Sequence, residues 1–209
     1  QLCRLESTAF CMHNLAIDRL PLPQDQPNGF RVSLCAAATR LFAAHGYEGV
    51  TMRALAKEID CSPMTPYRYF ANKAEIFDTV RSAAGTRFAD AIHSAVKREA
   101  KHRPRLRAMC HAYVDFAVAE PHAYRIIFEL EKGQRPEPPR VEEARGWFIM
   151  KAAVADAIAD GALEGDPDVV AHLLGPCVHG LVALHLRGML ELGIGLGPLV
   201  EAFIERELA

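Results

Sequence analysis

The sequence predicts an all-α protein in two parts, a small helical module followed by a larger one, with about nine helices in total. Three observations carry that reading. Apolar residues recur at helical spacing along most of the 209 residues, and strand-type alternation is nearly absent. Proline and glycine, 13 and 14 in number, fall where helices would start and stop. The length is more than one small domain needs and less than two large ones require.

Composition narrows the class further. With 50% hydrophobic and 24% charged residues, the chain is neither disordered nor fibrous. A net charge of −2 rules out coating nucleic acid by bulk charge, but not a local face that reads it. Lysine plus arginine against aspartate plus glutamate runs 6 to 5 over residues 30–80, 12 to 7 over 81–140 and 4 to 11 over 141–209. A polyanionic partner therefore belongs in the first two thirds.

In order, residues 1–29 read as a leader or linker, closing on the proline-rich run 21–29. A first helix is expected over 30–45, with Val32, Leu34, Ala37, Ala38, Leu41 and Phe42 as its apolar stripe and Gly46 as its stop. Thr51 would cap a short second helix ending near Ile59. Ser62 would cap a third helix with Pro63 at its first position, where a missing amide costs nothing. Asn72, with Glu75 three residues on, forms a capping box that opens a long fourth helix through about Val96. Pro104 and Pro121 would start helices running to about Ala119 and Glu131, and 134–139 is a loop. A helix over 141–159, one from Asp166-Pro167 to about Leu192, and a last one from Gly197 to about Leu208 complete the chain.

Six cysteines (Cys3, Cys11, Cys35, Cys61, Cys110, Cys177) stand without a CxxC pair, a pattern of free thiols in the cytoplasm. Residues 169–186 carry no Asp, Glu, Lys or Arg, but three histidines, two glycines and Pro176 suit a buried or interface helix better than a lipid-facing one. No membrane partner is expected. Nine histidines show no metal-ligand spacing, and His172 and His179 lie about 10 Å apart by helical rise, too far to share an ion. Neither a metal nor a cofactor is expected, and no nucleophile and base pair or paired carboxylates stand out for an enzyme.

Two short helices joined by a turn of about three residues over 51–73 have the geometry of a helix-turn-helix. The wider segment 31–80 resembles the N-terminal domain of the TetR family of bacterial transcriptional regulators. The resemblance rests on Ala37-Ala38-Thr39-Arg40-Leu41-Phe42, His45-Gly46-Tyr47, Val50-Thr51-Met52-Arg53, Leu55-Ala56 and the run Thr65-Pro66-Tyr67-Arg68-Tyr69-Phe70-Ala71-Asn72-Lys73, all in order. The remainder is similar to the WHG-type ligand-binding subgroup through Tyr113, Phe116-Ala117, Pro121, Tyr124-Arg125 and Phe128, followed by His179-Gly180. Val178 stands where that subgroup often has Trp, a departure that bears on the shape of the pocket.

The resemblance implies a DNA-binding domain over 30–80 and a ligand-binding and dimerisation domain over 81–209. It implies that the third helix enters the major groove, so that Ser62, Met64, Thr65, Tyr67 and Tyr69 face bases or phosphates. Thr51 and Lys73 would meet phosphates at helix N-termini. Arg53 would read a guanine edge, and Met64 would touch a thymine methyl. Phe70 is expected in the core, and the basic run 97–107 on a solvated junction. Met109, Tyr113, Phe116, Phe128, Trp147, Met150, Cys177 and His179, at inward helical spacings, would line an apolar effector pocket with a few polar handles. The implied function is a cytoplasmic homodimeric repressor, paired through its two C-terminal helices on a palindromic double-stranded DNA operator and released by a small apolar effector. Alternatives are an interaction protein whose helix-turn-helix no longer reads DNA, and an enzyme using the pocket.

Overall fold

The computed structural model describes residues 27–130, 141–190 and 193–207. The expectations for residues 1–26, for the loop 134–139, and for a helix end at Leu208 fall outside them. Among the described residues there are eight α-helices, one 3-10 turn and no strand.

The helices are α1 (Pro27–His45), α2 (Met52–Glu58), α3 (Lys73–Arg98), α4 (His102–Ala119), α5 (Pro121–Phe128), α6 (Val141–Ala159), α7 (Pro167–Leu186) and α8 (Leu196–Glu207), with the 3-10 turn at Pro66–Arg68. α1 begins at Pro27 rather than at Phe30, because proline's fixed φ suits a first helical position. It takes in the last residues of the expected linker. Leu34, Ala37, Ala38 and Phe42 are buried, whereas Val32 faces out. Gly46, with φ of +72°, ends the helix by donating to Phe42 O at 2.8 Å.

α7 ends at Leu186, six residues short of the expected Leu192. Gly188 takes a φ of +67° and donates to His185 O at 2.9 Å, and Met189 donates to Leu184 O at 2.8 Å. This pair of bonds is a Schellman stop. α5 likewise ends at Phe128 rather than Glu131, and α4 starts at His102 with Pro104 inside its first turn.

Two apolar cores form. The smaller one gathers Leu34, Phe42, Val50, Leu55, Phe70, Ile76 and Phe77, with Phe42 and Phe77 edge to face at 5.0 Å. The larger one joins α3 to α8 through residues such as Phe88, Leu106, Phe116, Tyr124, Val154 and Val182. The cores are not separate: Ile126 of α5 belongs to the first and Tyr124, two residues earlier, to the second. α3, about 39 Å long at 1.5 Å per residue, runs through both.

Candidate nucleic-acid interface and ligand cavity

The corner between α2 and the 3-10 turn is fixed by backbone chemistry. Thr51 Oγ1 accepts from the Ala54 amide at 3.1 Å and so caps α2. At its other end Asp60 adopts φ of +52° and donates to Lys57 O at 3.2 Å, while Cys61 donates to Ala56 O at 2.9 Å. Aspartate is among the few residues that accept this left-handed conformation cheaply.

The expected third α-helix is absent. Pro66 has no amide to return to Ser62, so Thr65 donates to Ser62 O at 2.8 Å instead, and the segment tightens into three-residue bonds through Arg68 and Tyr69. The tighter winding changes which side chains face out. Met64 is 69% exposed and Tyr67 48%, and Ser62 is exposed while Thr65 is half-buried. Tyr69 departs from the expectation of an outward group: it is half-buried, stacks on Phe30 at 4.5 Å, and its carbonyl accepts from Arg31. Arg68, absent from the expected contacts, is exposed with no ion pair among the described residues.

Arg53, in the first turn of α2, is exposed. Lys73 is held: its Nζ donates to Tyr47 O at 2.8 Å, sits 4.1 Å from the centre of the Tyr47 ring and lies 3.7 Å from Glu48. The capping box forms, with Glu75 N donating to Asn72 Oδ1 at 2.9 Å and Ala71 N donating to Glu75 Oε2 at 2.7 Å. Phe70 is buried.

In the larger core, α3, α4, α5, α6 and α7 enclose a cavity of about 400 Å³. Met109, Tyr113, Phe128, Trp147, Met150 and His179 line it. Phe116 does not: it is buried behind Phe88, edge to face at 5.3 Å. Cys177 corrects the expectation of an inward side chain, because it is exposed. The buried residues of α7 are Ala171, Leu174, Val178 and Val182, and Cys177 lies beyond the edge of that stripe. Phe88, Ile92, Cys110 and Ile127 also line the cavity, as does Val178. Among the described residues, no Asp, Glu, Lys or Arg lines it.

Its polar corner is built from two phenols and an imidazole. Tyr124 Oη lies 2.7 Å and Tyr113 Oη 2.9 Å from His179 Nδ1. Burial pushes the Tyr124 phenol up to about 12, raises Tyr113 as well, and lowers His179 from its ordinary value. All three groups are therefore neutral near pH 7. Burial also drives the Cys110 thiol up to about 12, which makes it a packing group and not a nucleophile.

Two glycines bound the cavity differently. A Cβ on Gly146 would stand 2.9 Å from the Phe88 ring, whereas one on Gly85 would meet nothing within 4 Å. Gly85→Ala is therefore expected to raise stability by about 0.5–1 kcal/mol, the usual gain at an unstrained helical glycine, as a higher melting temperature. Gly146→Ala should lower it.

α5 connects cavity and corner. Ile127 and Phe128 line the cavity, while Ile126 and Leu130 pack into the smaller core. Arg81, 9% exposed on α3, donates to Ile127 O and Leu130 O, each at 3.4 Å.

Two family models match the chain: one described as bacterial regulatory proteins, tetR family, over residues 34–80, and one described as a tetracyclin repressor-like C-terminal domain, over residues 106–209. The HTH-type transcriptional activator FasR of Mycolicibacterium smegmatis is 28% identical over 163 residues, covering 78% of this chain and 70% of that protein. Among solved structures, the fatty acid degradation regulator FadR of Bacillus halodurans has a TM-score of 0.71 at 19% identity, covering 89% of this chain and 97% of that one. AibR, solved in complex with isovaleryl coenzyme A and operator DNA, has a TM-score of 0.70 at 19% identity, covering 85% and 97%. With both sequence models in place, and helices arranged as in these regulators, the chain belongs to the TetR family of bacterial transcription regulators.

Proposed function

We propose that the chain is a homodimeric, ligand-responsive regulator that holds a palindromic operator and releases it when a small, mainly apolar molecule occupies the cavity. The observation that carries this reading is α5, whose successive residues Ile126 and Ile127 belong to the DNA-binding module's core and to the cavity wall. A ligand pressing on Ile127 and Phe128 must move Ile126 and Leu130, and with them the module. The domains are then 30–80 and 81–209, coupled through α5 and through α3, which crosses the boundary.

At the DNA, Arg53, Met64, Tyr67 and Arg68 reach the groove, and Ser62, Thr65 and Thr51 bring the helix ends against phosphates. Tyr69 and Lys73 hold the surface in shape, through Phe30 and Tyr47. The outer stripe of α7, with Val169, Leu173, Pro176, Gly180 and Leu184 at helical spacing, pairs with a second copy alongside α8. The neighbours' names point to acyl compounds as the first effectors to try: FadR is a fatty acid degradation regulator, and AibR was solved with isovaleryl coenzyme A.

A gel shift on the DNA flanking the chain's own gene tests the reading. Binding is expected at nanomolar dimer, with a shallow dependence on salt because helix N-termini carry much of the phosphate contact. Arg53→Gln should weaken binding by about 1–3 kcal/mol and relax specificity at one base pair. No shift at low salt from a folded dimer would rule the reading out. Activation is the second reading, favoured by the name of the relative FasR, and transcription from the same DNA with and without the chain decides the sign.

A further inference from the structure

The polar corner of the cavity is specific enough to name the kind of group it takes. His179 Nδ1 lies within hydrogen-bond reach of both phenols. One lone pair cannot fully serve two donors, and Tyr124 Oη, the nearer of the two at 2.7 Å against 2.9 Å, takes it. The other acceptor within reach of Tyr124, His179 O, lies at 3.5 Å against 2.7 Å for Nδ1. With Nδ1 accepting, the neutral ring carries its proton on Nε2. That N–H has no hydrogen-bond partner among the described residues, and His179 lines the cavity.

We infer that His179 Nε2 donates to a neutral acceptor on the effector, a ketone, ester or thioester carbonyl, and that the cavity discriminates against a free carboxylate of the same chain length. The inference rests on the reading of the cavity as the effector site. A carboxylate entering here would find no cation in the walls among the described residues. The charges nearest His179, Glu129 and Arg187, are joined to each other at 3.6 Å and neither lines the cavity. Burying an anion without a counter-charge is far costlier than burying a carbonyl that receives a hydrogen bond.

Trp147, the one tryptophan in the sequence, lines the cavity and reports its occupancy without any need for DNA. The full chain is titrated with decane, 2-decanone and decanoate at pH 7.5, following Trp147 emission. 2-Decanone should bind about five- to tenfold more tightly than decane, the worth of one neutral hydrogen bond. Decanoate should bind at least about 100-fold more weakly than 2-decanone. His179→Phe keeps a ring of similar size and should abolish the preference for 2-decanone over decane. Tyr124→Phe removes the phenol that fixes the ring's proton, and should reduce that preference without abolishing it, which keeps the test open if His179→Phe fails to fold. Decanoate binding as tightly as 2-decanone, or an unaltered preference in both variants, overturns the inference alone. Emission unmoved by all three compounds overturns it together with the reading of the cavity as the effector site.

Discussion

On the proposed pairing of α7, Leu173→Glu is expected to leave the chain a helical monomer and to weaken operator binding by about 100-fold or more. α7 carries two apolar stripes. Ala171, Leu174, Val178 and Val182 are buried within the protomer. The other stripe, two positions out of phase, leaves Val169 56% and Leu173 57% exposed, with Leu184 and Cys177 exposed beside them. By length and composition α7 could cross a membrane, but Gly180 lies in this outer stripe and lends itself to close approach of a second helix. A twofold axis duplicates each side chain, so a charge at 173 is buried twice, and each lost leucine removes about 1.5–3 kcal/mol of burial. The loss in DNA affinity follows because the second half-site is no longer tethered to the first. Size-exclusion chromatography with light scattering reads the mass against the 23.0 kDa protomer, and circular dichroism shows that the helices remain. A dimer persisting with undiminished operator affinity would place the partner elsewhere.

How far the sequence carried the fold depended on whether local chemistry marked it. Helix starts were legible where a side chain caps them, as at Thr51, Asn72 and Asp166. The third helix was misjudged because periodicity cannot weigh one missing amide: Pro66 turns an expected α-helix into a 3-10 turn, with Tyr69 packed in against Phe30. Cys177 was misjudged because α7 carries no Asp, Glu, Lys or Arg between Val169 and Leu186 to mark which face looks out. Phe88 and Ile92 escaped the pocket assignment for a related reason. An apolar position on a long helix looks the same in sequence whether it meets a packed core or an open cavity, and only the arrangement of five helices distinguishes them. The tyrosines and His179 were singled out by resemblance, while their shared hydrogen bond had to await the structure.

Phe88→Ala is the second change with a large expected effect, and it bears on ligand choice as well as stability. The Phe88 ring meets Tyr113 at 5.2 Å, Phe116 at 5.3 Å and Phe128 at 5.3 Å, each nearly edge to face. Gly146 leaves the room the ring occupies, since a Cβ there would collide with it. Truncating it should cost about 3–5 kcal/mol and lower the melting temperature by roughly 10 °C. The space it vacates joins the cavity, so the variant should accept a branched or ring-bearing apolar compound that the unaltered chain excludes. Binding such a compound returns part of the lost stability by mass action. Phe116→Ala is the control: it removes a ring of the same size from behind the wall, so stability should fall without a change in the ligands accepted. Melting curves of both variants with a matched series of linear and branched ketones separate the two outcomes. An unchanged size limit in Phe88→Ala would mean that Phe128 and Trp147 close over the vacated space.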